Sequence, residues 1–238
     1  MAPVSDEPPP WTEAEMQGMP VGDGSDPMDG LLLDAFEPTI EPTVDPVASM
    51  DWATLEQTVV GCRACGLCER RQNTVFGVGD PNAQLMFVGE APGQDEDRKG
   101  EPFVGRAGQL LDRMLAAAGL KRGQVYIANV VKCRPPNNRN PNPDEAAACR
   151  AYLLRQIALV QPKLLVSLGG VSATNLLDTT EPVGRLRGRV HAFGPDRTPL
   201  LVTYHPSYYL RSPAEKAKGW QDLQRVIKLL RKESNAAP

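Results

Sequence analysis

Four cysteines occur as two widely separated pairs, and this spacing constrains the fold more than any other feature of the sequence. Cys62 and Cys65 have two residues between them, whereas Cys133 and Cys149 have fifteen. In a chain without a secretion signal, such thiols favour one metal centre that joins distant segments over a disulfide framework. Four cysteines suit either tetrahedral zinc or a 4Fe-4S cluster, so the spacing leaves both open.

Length and hydropathy limit the class of protein. A chain of 238 residues can hold one α/β domain and an appendage. Its apolar runs, such as residues 163–168, are strand-sized and far below the roughly 20 residues that a bilayer crossing needs. The N-terminus lacks the basic start and apolar stretch of a signal peptide. We therefore expect a cytoplasmic protein without a membrane association, in which the cysteines stay reduced.

Charge divides the chain into two parts of opposite sign. Residues 1–50 contain eleven acidic residues, nine prolines and no Lys or Arg, which leaves residues 51–238 with 26 basic and 18 acidic residues. An acidic, proline-rich segment buries too little apolar area to offset its ordering entropy, so we expect residues 1–50 to be a disordered tail. The tail is either a solubilising segment, a docking helix for a protein partner around residues 31–36, or an anionic arm that competes with nucleic acid for the basic body.

Strand and helix patterns alternate after residue 51. Short apolar or β-branched runs predict four strands, at residues 84–89, 124–131, 163–168 and 199–204. Helical spacing and end signals predict helices at residues 106–119, 142–160, 171–177 and 214–231, with Asn142 as a cap and Pro143 in the first turn. This alternation indicates a three-layer α/β/α fold with a central, mostly parallel four-stranded sheet over residues 51–238.

Three polar residues follow the predicted strands directly. Glu90, Asn129 and His205 each lie at or just past the end of a different strand. Ligands of open parallel sheets bind outside the carboxyl ends of the strands. We therefore expect these three side chains to converge on one crevice.

Four motifs, together with the cysteines, resemble those of the family 4 uracil-DNA glycosylases, the iron–sulfur type. They are Gly89-Glu90-Ala91-Pro92-Gly93, the run from Gly100 to Gly108, the run from Asn129 to Pro136, and His205-Pro206-Ser207. The resemblance extends from about Cys62 to the C-terminal helix. It implies a uracil-DNA glycosylase-like fold and a monofunctional enzyme of base-excision repair, which flips uracil out of single- or double-stranded DNA and hydrolyses its N-glycosidic bond. We expect the enzyme to act as a monomer.

The resemblance assigns three residues to the recognition of uracil. Phe103 would stack on the base, although a Phe at this place could equally be a core residue. Asn129 would pair with N3–H and O4 of uracil and disfavour cytosine, although amides at strand ends are ordinarily loop caps. His205 would donate a hydrogen bond to O2 as negative charge builds there.

The loop after the first strand would supply the remaining contacts. By resemblance, Glu90 and Ala91 belong to the catalytic loop on the uracil and water side, and Glu96 helps to build the pocket. The two carboxylates could instead stabilise a helix N-terminus. Asn138 would position the attacking water, although an Asn in a proline-rich loop is more often a turn residue.

The resemblance also favours a 4Fe-4S cluster over zinc. Cys62, Cys65, Cys133 and Cys149 would be its ligands, and the cluster would be structural. The second pair is stretched beyond the short hairpins of zinc ribbons, which agrees with this interpretation. Cys68 would be a spare, buried thiol.

DNA contacts are expected from the segment that follows His205. In the family a Leu usually lies four residues after this His, whereas this chain has Tyr209. Either Tyr209 or Leu210 would wedge into the gap left by the extruded base. Arg211 would contact phosphates, with Lys132, Arg134 and Arg139 as further candidates.

Two other functions stay open from the sequence. One is a non-catalytic nucleic-acid-binding module with a structural zinc. The other is a glycosylase with a wider range of deaminated bases, or one limited to mismatched uracil.

Overall fold

The computed structural model describes residues 45–235, so the predicted acidic tail lies almost entirely outside the described residues. Six strands and eight α-helices are present in this part of the chain. The strands are β1 (Val78–Gly79), β2 (Leu85–Gly89), β3 (Tyr126–Asn129), β4 (Leu164–Leu168), β5 (Val190–Phe193) and β6 (Thr198–Thr203). The helices are α1 (Trp52–Gly61), α2 (Gln94–Lys99), α3 (Arg106–Ala117), α4 (Pro143–Val160), α5 (Gly170–Leu177), α6 (Val183–Leu186), α7 (Pro206–Arg211) and α8 (Lys216–Asn235).

All six strands form one mixed sheet in the order β1-β3-β2-β4-β6-β5. The inner four are parallel, and Phe87 in the middle of β2 lies opposite Ile127 on one side and Val166 on the other. The edge strands β1 and β5 pair antiparallel with their neighbours. Because the chain winds outward from β2 in both directions, the switch in strand order falls beside the carboxyl end of β2, where such sheets bind ligands.

Side chains of the central strands alternate between two apolar cores. Met86 and Val88 of β2 pack with α1, α4 and α5, whereas Leu85 and Phe87 pack with α3 and α8. Every residue of β2, β3 and β4 is buried. Helices therefore cover both faces of the sheet, as expected for parallel strands, and the predicted three-layer α/β fold is confirmed.

The strand count is six rather than four because two edge strands were missed. β1 has only two residues, and β5 alternates between exposed and half-buried side chains, with Val190 55% exposed. Neither gives the continuous apolar run by which the inner strands were recognised.

Helix α4 begins at Pro143 as predicted, but the expected cap by the Asn142 side chain does not form. The carboxylate of Glu145 instead accepts a hydrogen bond from the Asn142 backbone N–H (2.7 Å). Both arrangements satisfy a free donor at the start of a helix. None of the helices within residues 45–235 is long and apolar enough to cross a bilayer.

Candidate active site and metal centre

A cleft of about 380 Å³ opens at the carboxyl edge of the sheet. It brings together all the residues predicted to bind uracil or to act in catalysis, namely Glu90, Ala91, Glu96, Phe103, Asn129, Asn138 and His205. Arg211 also lines it. The strands β2, β3 and β6 each end at this cleft, which explains why residues so distant in sequence meet.

Phe103 forms an aromatic wall of the cleft. Its backbone has a φ of 55°, in the left-handed region that non-glycine residues rarely adopt. The close approach of helix α3 holds this conformation, since a Cβ at Gly108 would lie 1.8 Å from the Phe103 carbonyl oxygen. The ring is 6% exposed and lies 5.5 Å from the His205 ring, centroid to centroid. Phe103 is thus both a core residue and a face of the cleft.

Asn129 ends β3 and is 1% exposed. Its Oδ1 atom is buried and has no hydrogen-bond partner. Burying an unpaired carbonyl oxygen is costly, so such an atom beside a cleft is suited to a ligand that donates a hydrogen bond. Gly89 makes room for it, because a Cβ there would lie 2.4 Å from Oδ1 and 2.5 Å from the Phe103 ring.

His205 precedes helix α7 and has a defined tautomer. Its Nδ1 atom accepts a hydrogen bond from the Ser207 backbone N–H (3.2 Å) and lies 2.8 Å from the Ser207 hydroxyl. Burial, together with the charge of Arg211, lowers the pKa of His205 to about 4. The ring is therefore neutral at pH 7 and carries its proton on Nε2, which remains available as a donor.

Glu90 follows β2 and is half-buried in the same cleft. Burial raises the pKa of its carboxyl, and the positive charge of Arg211 opposes this shift. A carboxylate with a raised pKa accepts protons more readily than an exposed one, which suits a general base.

Glu96 builds the cleft through backbone hydrogen bonds. One carboxylate oxygen accepts the N–H groups of Val104 (2.9 Å) and Gly105 (2.8 Å), and the other accepts that of Gly93 (3.1 Å). These bonds tie the loop before α2 to the loop that carries Phe103. Glu96 therefore fits both predictions made for it, since it lies in the first turn of α2 and also shapes the cleft.

Asn138 lies at the exposed rim of the cleft, with a φ of 54°. Its Oδ1 accepts a hydrogen bond from Arg134 Nε (2.7 Å), which leaves its amide N–H groups for the cleft. Arg139 also lines the cleft and forms a two-point ion pair with Glu145 (2.8 and 2.7 Å). The role of Asn138 in positioning water stays a prediction.

The segment after His205 differs from expectation at Tyr209. This side chain is 1% exposed, and its hydroxyl lies 2.9 Å from the Thr203 hydroxyl, inside the protein. A wedge must project from the surface, so Tyr209 is not placed to fill a gap in DNA. Leu210 is half-buried and Arg211 is exposed, which leaves Leu210 as the candidate wedge.

Lys132 also departs from the prediction, since it is 1% exposed and does not reach a surface that DNA could touch. Its ammonium donates hydrogen bonds to the Asn129 carbonyl oxygen (2.8 Å) and to Gln156 Oε1 (2.6 Å). Its charge is therefore used inside the fold and not on phosphate.

The four cysteines predicted as ligands line one cavity, together with Cys68. Cys62 follows α1, Cys133 follows β3, and Cys149 lies in α4. Donors point at the sulfur atoms: Arg71 Nη1 lies 3.0 Å from Cys133 Sγ, and the Lys132 backbone N–H donates to Cys149 Sγ (3.3 Å). Such donors stabilise thiolates, so the residues around the cavity fit a thiolate-bound metal group.

Among residues 45–235, no group of three or more Cys, His, Asp or Glu side chains is close enough together to hold one ion, and this holds for the cysteines of the cavity as well.

Sequence reasoning missed two residues with a part in the site. Ser207 fixes the tautomer of His205, and the signal was its position in the first turn of a helix that begins at Pro206. Gly89 admits Asn129 and Phe103 to the same cleft, and the signal was a Gly at the end of an apolar strand.

Comparison with known proteins agrees with this fold and site. The sequence profile of the Uracil DNA glycosylase superfamily matches residues 76–224. This range begins just before β1 and ends within α8, so it contains the whole sheet and the cleft.

Individual relatives define the family more narrowly. A type-4 uracil-DNA glycosylase of Archaeoglobus fulgidus is 43% identical over 182 residues, which cover 74% of this chain and 91% of the relative. Type-4 enzymes of Pyrobaculum aerophilum and Sulfurisphaera tokodaii are 42% and 41% identical, over 73% and 74% of this chain and 92% and 83% of their own lengths. The chain belongs to the type-4 uracil-DNA glycosylases.

Proposed function

We propose that this chain excises uracil from DNA by hydrolysing its N-glycosidic bond, which leaves an abasic site for base-excision repair. Family membership supports the activity. The observation that carries the assignment of the site is the shared cleft, in which the unpaired Asn129 Oδ1, the Phe103 ring and the His205 ring meet. The two strands of a duplex hold the target base inside the stack, so the nucleotide must first leave it to enter this cleft.

Asn129, Phe103 and His205 recognise the extruded base. The Oδ1 atom of Asn129 accepts the N3–H of uracil, a donor that cytosine lacks at the same position. The Phe103 ring offers an apolar face for stacking. Discrimination follows because a base without the matching donor would leave the buried Oδ1 unpaired.

His205 and Glu90 act on the two products of bond cleavage. As the N–C1′ bond breaks, its electron pair goes to the base, and negative charge accumulates on uracil O2. The Nε2–H of neutral His205 donates a hydrogen bond to this oxygen without transferring its proton. Water adds to C1′ of the sugar, and Glu90 takes up the proton that this water loses. Asn138 holds the water from the rim.

The cysteine cavity would hold a 4Fe-4S cluster through Cys62, Cys65, Cys133 and Cys149, all of which line it. The resemblance of the motifs to the iron–sulfur type and the match to type-4 enzymes support the cluster over zinc. The cluster would be structural: it would tie α1, the loop after β3 and α4 together and take no part in bond cleavage.

A single assay tests the activity. The purified chain is incubated with a uracil-containing oligonucleotide, and alkali then reveals abasic sites as strand breaks. The wild-type chain is expected to give breaks after alkali and none before it. Absence of breaks from a well-folded, iron-containing sample would overturn the proposal.

Variants in the same assay test the site. His205→Ala and Asn129→Ala are each expected to lower kcat/KM by about 5- to 160-fold, because each removes a buried hydrogen-bonding group worth about 1–3 kcal/mol. Asn82→Ala is the matched control, since Asn82 is exposed in the turn before β2, at the opposite edge of the sheet. Near-normal uracil release by either site variant would remove that residue from the mechanism.

A further inference from the structure

Lys132 is a fully buried cation that the mechanism does not use. It follows Asn129, a residue of the cleft, by three positions, and it lines the cysteine cavity immediately before Cys133. Lysines are almost never fully buried unless they are paired, because desolvation of the ammonium is costly. No carboxylate forms an ion pair with it among the described residues. The two oxygen atoms that accept its hydrogen bonds must therefore offset the cost of burying the ammonium.

One of these acceptors belongs to the residue that reads the base. Lys132 Nζ donates to the Asn129 carbonyl oxygen (2.8 Å), at the point where β3 ends. Beyond β3, the backbone stays paired with the end of β2. The N–H groups of Val130 and Val131 donate to the carbonyl oxygens of Gly89 and Glu90 (3.0 and 3.2 Å). The Lys132 bond closes the turn formed by residues 129–132 and so limits how the Asn129 backbone can rotate.

The other acceptor is anchored on the far side. Gln156 Oε1 of α4 lies 2.6 Å from Lys132 Nζ. The amide nitrogen of Gln156 donates to the Phe76 carbonyl (2.9 Å) and to the Tyr126 hydroxyl (3.1 Å), so its orientation is fixed by three partners. Gln156 is 0% exposed. Lys132 thus connects Asn129 to a rigid point of the core.

The Lys132 backbone connects the same turn to the cysteine centre. Its N–H donates to Cys149 Sγ (3.3 Å), two helical turns before Gln156 on α4. Both ends of Lys132 therefore bind α4, while the ammonium also holds Asn129. A side chain of similar shape without the charge would fill the space and leave two buried oxygen atoms without a donor.

We propose that Lys132 is a positioning residue that sets the orientation of the Asn129 amide in the cleft, and that it thereby sustains the discrimination of uracil from cytosine. This inference rests on the proposed uracil excision. Lys132 contacts neither the base nor the sugar. It acts through Asn129, whose unpaired Oδ1 must meet the edge of the base within a few tenths of an ångström to select it.

The test is Lys132→Met in the full chain, because Met keeps the volume and removes the donor. We expect kcat/KM on uracil to fall about 100-fold, the effect of a displacement of about 1 Å in a reacting complex. The ratio of uracil release to cytosine release should fall as well, because cytosine lacks the N3–H that Asn129 Oδ1 selects, and free uracil should inhibit the variant more weakly. Iron per chain and visible absorption are measured on the same samples. Lys121→Met, at an exposed lysine, is the control.

A second variant covers the case in which Lys132→Met does not fold. Gln156→Met leaves the bond from Lys132 to Asn129 but removes its anchor, so the same ratio is expected to fall by a smaller factor. Wild-type discrimination in both variants would overturn the proposal. A loss of rate in strict proportion to a loss of iron would also overturn it, since that result indicates structural support of the cluster alone. A wild-type chain that releases no uracil would contradict the proposed function itself, which is a separate outcome.

Discussion

Ser207 donates its backbone N–H to Nδ1 of His205 at 3.2 Å, and this bond leaves Nε2 as the protonated nitrogen of the ring. A neutral donor beside the cleft differs from an imidazolium, because it can stabilise an anionic base without being titrated near pH 7. The lowered pKa of His205, about 4, agrees with this state.

The pH dependence of stability tests the state of His205. The unfolded ring has a pKa of 6.5 and the folded ring about 4. Above pH 6.5 the ring is neutral in both states. As the pH falls from 6.5 to about 4, the unfolded chain takes up a proton that the folded chain does not, so the folded state loses stability. Between pH 7 and pH 4.5, His205→Gln should lose about 2 kcal/mol less than the wild type.

Urea unfolding at several pH values measures this difference. Other groups titrate in the same range, but they are common to both proteins and cancel in the comparison. If the free energy of unfolding changed with pH in the same way in both proteins, His205 would take up its proton with an ordinary pKa. That result would remove the argument for a neutral ring.

Gly89→Ala should damage the cleft without touching a charged group. The added methyl would lie 2.4 Å from Asn129 Oδ1 and 2.5 Å from the Phe103 ring, so at least one of them must move. We expect a loss of about 1–3 kcal/mol in the free energy of unfolding, as for other overpacked cores. We also expect a fall in kcat/KM of at least 10-fold, because we propose that both residues recognise the base.

Gly123→Ala is the matched control for this change, since no atom lies within 4 Å of the position of its Cβ. Thermal unfolding and uracil release are measured on both variants. An active Gly89→Ala enzyme with unchanged stability would show that the cleft is looser than the structure has it.

The cysteines make separate predictions for the cluster. Cys149 is buried and accepts the Lys132 N–H, whereas Cys68 lines the same cavity and is predicted to be a spare thiol. Cys149→Ser should lose most of its iron and unfold at a lower temperature, because the proposed cluster would join three segments. Cys68→Ser should keep the iron content and visible absorption of the wild type.

Iron, sulfide and zinc analysis of freshly purified protein measures the outcome. Equal iron loss in the two variants would mean that Cys68 is a ligand. A colourless wild-type protein with stoichiometric zinc would contradict the proposed cluster and show that the cysteines bind zinc.

Leu210 and Tyr209 give opposite predictions for the wedge. Leu210→Ala should lower uracil release from duplex DNA more than from single strands, because only the duplex leaves a stacked gap to fill. Tyr209→Phe removes the hydroxyl that meets Thr203 and should cost about 1 kcal/mol of stability with an unchanged ratio of the two substrates. If the ratio changes for Tyr209→Phe and not for Leu210→Ala, the buried position of Tyr209 does not describe the enzyme bound to DNA.

Much of the fold could be predicted from local signals. Helix α4 begins at Pro143, whose fixed φ and missing N–H suit a first turn, and the four inner strands follow from apolar runs. The meeting of Glu90, Asn129 and His205 at the carboxyl edge of the sheet follows from the parallel arrangement of the strands. The family predicted from the motifs is confirmed. The edge strands β1 and β5 carry no such signal, because their formation depends on the neighbouring strand.

The two misplaced side chains show where sequence reasoning ends. We expected Lys132 to contact DNA phosphates, because lysines are usually exposed. It is buried instead, and its ammonium donates hydrogen bonds to Asn129 and to Gln156, which lies 24 residues downstream. Tyr209 was a candidate wedge by its place after His205. The packing of α7 turns it inward, where a Cβ at Gly219 would lie 2.9 Å from its ring. Both outcomes depend on tertiary contacts that a linear pattern does not contain.

A structure of the protein with free uracil tests the central claim most directly. We predict that uracil binds in the cleft with its face on the Phe103 ring, its N3–H within hydrogen-bond distance of Asn129 Oδ1, and its O2 within the same distance of His205 Nε2. Uracil bound elsewhere, or bound in the cleft with its N3–H turned away from Asn129, would contradict the account.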